Sequence, residues 1–338
     1  ITLTSAGGTE ISSDSGTLTI TGGTTGNVPL VFDGAGDFVL STAPLSGSGI
    51  ITKNGAGTVL LNFPNSNSGA LTINAGTILY GVDNAMLSPA VIVSGGTLDI
   101  ATFSDMVGAV TLGTLDLASG TITGTSGLLS ATAWTVYQGT ISAQISGVAA
   151  ALAKSTPGTV TLTRANSFTG AVTVSAGILN IQDNMSLGWT DGVTSITAGA
   201  TLEIEGDGLS IPEYITPAGT GHLYTGAIRN KGGDNILTGL ITLSTTPMIM
   251  SDTGTTLTVD TKGVAATTQA LTVGGLGNVT LTSTAPIYGT SATLTKNDPG
   301  TLTIQSFSNF TGATVVNRGT LLLNGAGAIP NSAVTVNA

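Results

Sequence analysis

The densest group of residues in this sequence that could do chemistry is a short acidic segment. Glu203, Glu205 and Asp207 alternate there with Ile204 and Gly206. In a β-strand the first two carboxylates would point to one face, roughly 7 Å apart. Such a pair could bind Ca²⁺ through its oxygens or act as the general acid and base of a polysaccharide hydrolase. We favour a solvated strand face, because a calcium-binding solenoid would repeat its acidic motif in every coil, and we keep the three residues as a candidate cation site.

The remaining catalytic signals argue against an enzyme. His222 is the only histidine, and no Gly-x-Ser-x-Gly motif accompanies it to suggest a hydrolase triad. The chain has no cysteine, which excludes thiolate nucleophiles and thiolate metal ligands. Its glycines form neither a phosphate-binding loop nor a dinucleotide fingerprint. We therefore predict no catalytic residues and no cofactor.

Composition narrows the class of protein further. The chain has 338 residues, of which only 8% are charged and 41% are hydrophobic, and its formal net charge is −10. Disorder requires more charge and less apolar content, and an acidic surface repels nucleic acid and anionic lipid. No apolar run reaches the length of about 18 residues that a membrane-spanning helix needs. We predict an ordered protein with no nucleic-acid partner and no membrane insertion of this segment.

Three internal repeats indicate what the elements must be. Blocks that begin at Lys53, Lys154 and Lys296 align without a gap. Glycines recur in each block at the same three distances from the lysine. These structural glycines are Gly57, Gly69 and Gly76 in the first block, Gly158, Gly170 and Gly177 in the second, and Gly300, Gly312 and Gly319 in the third.

The glycine spacing predicts short strands joined by tight turns. Glycine at a fixed place marks a turn that needs a positive φ or a close approach of backbone. The segments between the glycines alternate apolar and polar residues, as in Thr159–Leu162, which is typical of strands with one buried face. A unit of two such strands cannot bury its own apolar face, but stacked units can. At roughly 20–30 residues per coil, we expect about eleven to seventeen coils.

The blocks resemble the autotransporter-associated β-strand repeat. Gly300-Thr301-Leu302, Asn309-Phe310-Thr311-Gly312 and Gly319-Thr320-Leu321 follow its pattern closely, and Ser167-Phe168-Thr169-Gly170 keeps the aromatic position in the second block. The first block departs from the pattern, with Asn67-Ser68-Gly69 and no aromatic residue. The resemblance implies a right-handed β-helix and a secreted bacterial protein with an extracellular or cell-surface location. The family carries no catalytic residues to transfer.

The repeat lysines and the aromatic residues each have two interpretations. The lysines could form a basic ridge for an acidic glycan, but we favour a role in capping turn carbonyls. Phe168 and Phe310 share one repeat position, which indicates core packing. Exposed aromatics could bind sugar rings, and Tyr214, Tyr224 and Trp134 are the candidates for such a platform.

The ends of the sequence and one internal region complete the expected organisation. We expect one continuous solenoid over residues 1–338, with an irregular coil or loop insertion at 205–235. Both termini look as if they lie within a repeat, because Ile1-Thr2-Leu3-Thr4 and Val334-Thr335-Val336 already resemble strands. Uncapped solenoid ends invite pairing of strand edges. We therefore expect either continuation in a longer chain or end-to-end self-association.

Taken together, these features predict an all-β fold, a right-handed parallel β-helix or β-solenoid that forms a single elongated domain. The predicted function is that of an extracellular structural module in a rigid stalk, fibre or filament at the bacterial surface. An adhesin that binds glycans through one flank is the alternative. A polysaccharide lyase or hydrolase on the same fold is less favoured, because Lys and Arg total only 8 in the whole chain.

Overall fold

The computed structural model describes residues 8–87 and 89–337. The predicted strand at Ile1–Thr4 lies outside the described residues. Within them the chain forms β-strands joined by short turns, with one short 3-10 helix at His222–Tyr224 and no α-helix. Two compact units are present. The first comprises Ile1–Leu152 and Asn166–Gly170, and the second comprises Ala153–Ala165 and Ala171–Ala338.

The strands up to Ser146 belong to the first unit. They are β1 (Thr9–Ser12), β2 (Thr17–Ile20), β3 (Thr24–Thr25), β4 (Leu30–Asp33), β5 (Asp37–Leu40), β6 (Leu45–Gly47), β7 (Ile51–Lys53), β8 (Thr58–Leu61), β9 (Ser66–Asn67), β10 (Leu71–Ile73), β11 (Thr77–Tyr80), β12 (Val91–Val93), β13 (Thr97–Asp99), β14 (Asp105–Met106), β15 (Ala109–Leu112), β16 (Gly120–Thr123), β17 (Leu128–Ser130), β18 (Ala133–Val136), β19 (Gly139–Ile141) and β20 (Gln144–Ser146).

The strands from Leu152 onward form the second unit, except that Leu152 itself belongs to the first unit. They are β21 (Leu152–Lys154), β22 (Thr159–Leu162), β23 (Val172–Val174), β24 (Gly177–Ile181), β25 (Thr194–Ile196), β26 (Ala200–Glu205), β27 (Ser210–Ile211), β28 (Ile215–Pro217), β29 (Ile228–Gly232), β30 (Asp234–Leu237), β31 (Ile241–Thr242), β32 (Met248–Ser251), β33 (Thr256–Val259), β34 (Val264–Thr267), β35 (Leu271–Gly274), β36 (Asn278–Leu281), β37 (Ile287–Gly289), β38 (Leu294–Lys296), β39 (Thr301–Ile304), β40 (Thr314–Val316), β41 (Thr320–Leu323) and β42 (Val334–Val336).

Each unit is a parallel β-solenoid with three faces. In the first unit the first sheet runs β1-β4-β7-β10-β12-β15-β18, the second runs β2-β5-β8-β11-β13-β16-β19, and β3-β6-β9 and β14-β17-β20 form short sheets on the third face. In the second unit the first sheet runs β21-β23-β25-β28-β31-β34-β37, the second runs β22-β24-β26-β29-β32-β35-β38-β40-β42, and the third runs β27-β30-β33-β36-β39-β41.

Successive coils stack residue on residue. Leu71 of β10 lies beside Ile51 of the preceding coil and Val91 of the following one, and both pairings are parallel. The three-residue strands bury their first and third side chains and leave the second partly exposed, as in Leu71–Ile73. This alternation is what a pleated strand with one apolar face produces. The coils number about 16, so the predicted all-β solenoid and its predicted number of coils are confirmed.

The core is a set of apolar columns that run across the coils. Phe32 and Phe38 are fully buried and meet edge to face, with ring centroids 5.2 Å apart. Trp134 is 1% exposed and lies in register with Val110 of the preceding coil. Within a column nearly every coil contributes an aliphatic or aromatic side chain. The columns therefore form the continuous core expected of a solenoid.

Residues 205–235 contain regular strands as well as irregular backbone. Strands β27, β28 and β29 pair in parallel with strands of neighbouring coils. The irregular parts are a β-bulge after Ile204, where the register with β29 shifts, and the loop 218–227, which holds the 3-10 helix. Leu223 and Tyr224 in this loop have φ of 50° and 63° and are 78% and 79% exposed.

Candidate functional site

The repeat lysines lie inside the solenoid. Lys53 and Lys154 are 0% exposed, and Lys296 is 1% exposed. Each is the last residue of its strand, which belongs to the first sheet in the first two blocks and to the second sheet in the third block. A strand end places the long side chain under the turn that follows, so the ammonium group reaches backbone carbonyls of that turn.

The ammonium groups hold these turns through carbonyl acceptors, an arrangement that we call the lysine clamp. Lys53 donates to the carbonyl of Gly55. Lys154 donates to the carbonyl of Thr156 and, across 3.1 Å, to that of Ala176 in the next coil. Lys296 donates to the carbonyls of the two residues that follow it. The lysines therefore take the structural role that their spacing favoured, and they form no basic ridge on the surface.

Burial changes the acid–base behaviour of the clamp. Desolvation lowers the pKa of Lys53 and Lys296 and lowers the pKa of Lys154 to about 8. No carboxylate forms an ion pair with Lys154 in the described part of the chain. Only neutral oxygens, those of backbone carbonyls and of the Thr156 hydroxyl, therefore accept hydrogen bonds from this ammonium, which explains why burial dominates the pKa of Lys154.

The third glycine of each block completes the clamp. Gly76, Gly177 and Gly319 have φ of +66°, +65° and +78°, in the left-handed region. A Cβ atom on any of them would lie 2.3 Å from a carbonyl oxygen of the preceding coil. On Gly76 it would also lie 2.7 Å from the Lys53 Nζ. Only glycine allows the turn to cover the ammonium this closely.

The other repeat glycines serve close approach between coils. A Cβ on Gly57 would lie 1.9 Å from the Gly36 carbonyl oxygen, and one on Gly69 would lie 2.1 Å from that of Gly49. A Cβ on Gly312 would lie 2.2 Å from the carbonyl oxygen of Ala292. Neither Gly57 nor Gly69 has a positive φ, so contact between stacked backbones is their reason for being glycine.

A polar position in the same blocks was not predicted. Asn65, Asn166 and Ser308 follow the three lysines at one common distance. Their side-chain oxygens accept hydrogen bonds from strand N–H groups of the preceding coil, at Leu45 (2.7 Å), Ile145 (3.0 Å) and Ile287 (3.0 Å). All three are buried, and they replace a backbone partner where their own coil has little or no strand, on the third face in the first two blocks and on the first face in the third block. The recurrence of a polar residue at this position was the signal that could have revealed them.

Two of the predicted acidic residues, Glu203 and Glu205, belong to a charged network on the outer side of the second sheet in the second unit. We define the charged network as Glu203, Glu205, Arg229, Lys231 and Asp252. Arg229 Nη1 lies 3.1 Å from Glu203 Oε2, and Arg229 Nη2 lies 2.6 Å from Asp252 Oδ2. Lys231 Nζ lies 3.1 Å from Glu203 Oε1 and 3.0 Å from Glu205 Oε2.

The β-bulge explains how Lys231 reaches both glutamates. Ile204 pairs with Asn230, but Glu205 pairs with Gly232, so Lys231 is an extra residue in its strand. Such an insertion redirects a side chain. Burial disfavours the Glu205 carboxylate, but hydrogen bonds from Lys231 and from Asn180 (2.8 Å) outweigh it and lower its pKa.

The three residues of the candidate cation site therefore contact different partners. Glu203 and Glu205 share one face of β26, and both contact Lys231. Asp207 lies on the exposed turn, where its Oδ1 accepts the N–H of Asp234 at 3.0 Å. Among residues 8–87 and 89–337, no group of three or more His, Cys, Asp or Glu residues is placed to hold a metal ion.

A surface groove adjoins the charged network. Its volume is about 550 Å³, and it is lined by Lys231, Met250, Asp252, Thr253, Gly275, Leu276 and Asp298. These residues lie at the ends of second-sheet strands or in the turns that follow them. The groove therefore runs across four successive coils and combines one cation, two carboxylates and two apolar side chains.

The aromatic candidates occupy very different environments. Trp134 is buried, and its Nε1 donates to the Ser146 carbonyl at 3.1 Å, so this candidate packs in the core and is not part of a surface glycan platform. The strand alternation that points its side chain inward is the reason. The Tyr214 ring is covered by Lys262, whose Nζ lies 4.2 Å from the ring centroid. Tyr224 is exposed beside His222, whereas Phe168 and Phe310 are 0% exposed.

A buried carboxyl group outside the repeats was also missed. Glu213 is 3% exposed, and its Oε1 accepts the Thr194 hydroxyl at 2.9 Å. Desolvation raises the pKa of Glu213 to about 7, although hydrogen bonds from Thr194 partly oppose the rise. The Pro-Glu-Tyr sequence around it resembles an ordinary turn, so no local pattern marks this side chain as buried.

Comparisons with known proteins agree with the repeat structure. The passenger-associated-transport-repeat model matches residues 51–79, 152–181 and 294–323. No curated protein and no solved structure matches the chain. In the described part of the chain, no helix is long and apolar enough to span a membrane. The three matched segments contain the three lysine clamps, so this chain carries three copies of the passenger-associated transport repeat, the autotransporter-type repeat that its sequence resembles.

Proposed function

We propose that this chain is a non-catalytic structural module that gives length and stiffness to a stalk, fibre or filament at the surface of a bacterium. The observation that carries the proposal is the stacking of parallel, in-register coils, with a buried lysine clamp in each family repeat. Autotransporter-type passenger repeats in a β-solenoid fit a structural module of a secreted surface protein.

The mechanism is mechanical. Within each unit, backbone hydrogen bonds between coils run in the stacking direction, so every coil is held by both neighbours. Clamps such as Lys154 join two successive turns through carbonyls of both coils. A force along the stacking direction must break several such bonds together, and a protease finds few unpaired backbone segments.

Force spectroscopy tests this role. The chain is tethered through its two ends and pulled at constant speed, and its extension should rise in successive steps as coils detach. Each step should release about 20–27 residues, at roughly 3.4 Å per residue. A single low-force extension of the whole chain, as in a molten or disordered polymer, would contradict a structural role.

We further propose that copies of the chain stack end to end along the solenoid axis. The last coil exposes side chains whose counterparts one coil earlier are buried. Val316 is 6% exposed, but its register partner Val336 is 72% exposed, and Leu323 is 42% exposed above the buried Ile304. A further in-register coil would cover this edge, either as part of a longer chain or from a second copy that binds by β-augmentation.

Sedimentation velocity over a range of protein concentrations tests the stacking. We expect concentration-dependent growth, which Val336→Lys should abolish because it places a charge in the stacked core. Leu117→Lys, at a position 42% exposed in an unrelated loop, is the matched control and should assemble like the wild type. A wild-type chain that stays monomeric at the highest concentration would refute stacking between copies.

Adhesion is a second candidate function. The groove beside the charged network favours it, because it offers polar and apolar contacts on a rigid sheet. Tyr224 and Leu223 also project from the loop 218–227. An adhesive role is compatible with the structural one, since a stiff module can present a binding surface.

A further inference from the structure

We propose that the groove lined by Lys231, Met250, Asp252, Thr253, Gly275, Leu276 and Asp298 binds a neutral saccharide. This inference goes beyond the structural role and does not depend on stacking between copies of the chain. It rests on the balance of charge around the groove, on fixed polar groups and on an exposed apolar floor.

The cations around the groove are already paired. Arg229 and Lys231 are each paired with two carboxylates. Asp298 lies close enough to the buried Lys296 ammonium to favour its charged form. An anionic ligand would face these carboxylates, and a cationic ligand would compete with the cations already in place. An uncharged ligand avoids both costs.

Two carboxylates in the groove are held in fixed positions. Arg229 donates to both oxygens of Asp252, from Nε at 3.0 Å and from Nη2 at 2.6 Å. The Gly275 N–H donates to Asp298 Oδ2 at 2.9 Å. An ionised carboxylate only accepts hydrogen bonds, so the matching ligand groups are donors such as hydroxyls. Fixed acceptors reduce the ordering cost of binding.

The remaining lining supplies donors and an apolar surface. The Lys231 ammonium uses two of its hydrogens on Glu203 and Glu205, and the exposed Thr253 adds a hydroxyl. Leu276 is 59% exposed, so it offers an apolar surface to a ligand. A pyranose ring has both a hydroxylated rim and C–H faces, so it can use all of these groups at once.

Glycine makes room for one of the groove carboxylates. A Cβ on Gly274 would lie 2.6 Å from Asp298 Oδ2 and 2.6 Å from the Met248 side chain. In this column Arg229 and Met250 occupy the two preceding coils, so Gly274 leaves the space that the Asp298 carboxylate and the Met248 side chain occupy. The volume of about 550 Å³ falls within the roughly 300–1,000 Å³ of small-ligand sites.

Saturation-transfer NMR on the full chain tests the proposal. The probes are cellobiose, maltose and N,N′-diacetylchitobiose, with a hyaluronan tetrasaccharide as the acidic comparison. We expect transfer to at least one neutral probe and at least tenfold weaker binding of the acidic one. Leu276→Ser and Asp298→Asn should each weaken binding of that neutral probe at least tenfold. Both variants should fold, since Leu276 is exposed and an asparagine amide oxygen can still accept the Gly275 N–H.

Matched controls separate the groove from the rest of the surface. Leu87→Ser removes a leucine of similar exposure (57%) outside the groove, and Asp183→Asn removes a carboxylate from another turn. Both should bind like the wild type. The proposal is overturned if no neutral probe receives transfer from the wild type, if the acidic probe binds equally well, or if the groove variants match their controls.

Discussion

The third glycine of each repeat combines a left-handed backbone with a close contact between coils, and Gly177→Ala probes this contact. Gly177 has φ +65°, and a Cβ there would lie 2.3 Å from the Thr156 oxygen and 2.4 Å from the Gly158 oxygen. The left-handed backbone costs alanine about 1–2 kcal/mol. Moving the contacting backbone apart adds about 1–3 kcal/mol, so the free energy of unfolding should fall by about 2–5 kcal/mol.

Gly254→Ala isolates the contribution of the contact. Gly254 has φ +78°, but nothing lies within 4 Å of its Cβ position. This variant should therefore lose only the backbone contribution of about 1–2 kcal/mol. Urea unfolding followed by circular dichroism compares the two variants, and hydrogen exchange at Ile178 reports the local effect, because its N–H donates to the Gly158 carbonyl. Equal losses in both variants would refute the packing of turn upon turn.

Three further predictions concern buried groups. The pKa of Glu213 is raised to about 7, so its burial lowers the free energy of unfolding as the pH rises from about 4.5 to 7. Glu213→Gln should therefore exceed the wild type in free energy of unfolding by about 2–3 kcal/mol at pH 8 but by little at pH 4. The same substitution at the exposed Glu10 is the control, and a pH-independent effect at Glu213 would contradict its burial. The pKa of Lys154 is lowered to about 8, so the free energy of unfolding of the wild type should rise by up to about 3 kcal/mol between pH 8 and pH 10.5. Calorimetry should show that this rise is missing in Lys154→Met. An identical pH profile in the two proteins would mean that Lys154 is solvated. Phe310→Ala should cost about 3–5 kcal/mol in thermal unfolding, whereas Phe307→Ala, at a position 60% exposed, should cost less than about 1 kcal/mol, and similar losses would contradict the inward direction of Phe310.

Local pattern was enough to predict the strands, their turns and part of the core. Alternation of apolar and polar residues sets which side of a strand is buried, and Leu302 and Ile304 follow it. Trp134 follows the same rule, which favours core packing over the glycan platform for which it was one candidate. Glycine spacing located the turns, since backbone contact between identical coils repeats wherever the coil repeats.

Features that depend on pairing between coils were not predictable from local pattern. The extra residue at Lys231 changes the register by one position, and no local signal distinguishes it from an ordinary strand residue. The hydrogen bond from Leu45 to Asn65 joins residues 20 apart, and the clamp from Lys154 to Ala176 joins residues 22 apart. The groove is formed by residues of four coils, so its lining residues look unrelated along the chain.

Electron microscopy of the purified native protein, without refolding, tests whether the chain works as a structural module built on stacked coils. Long unbranched fibres with an axial repeat near 4.8 Å are the expected result, because coils of successive copies would continue the same parallel pairing. Particles that stay dispersed at every concentration and show no such repeat would contradict a filament built in this way.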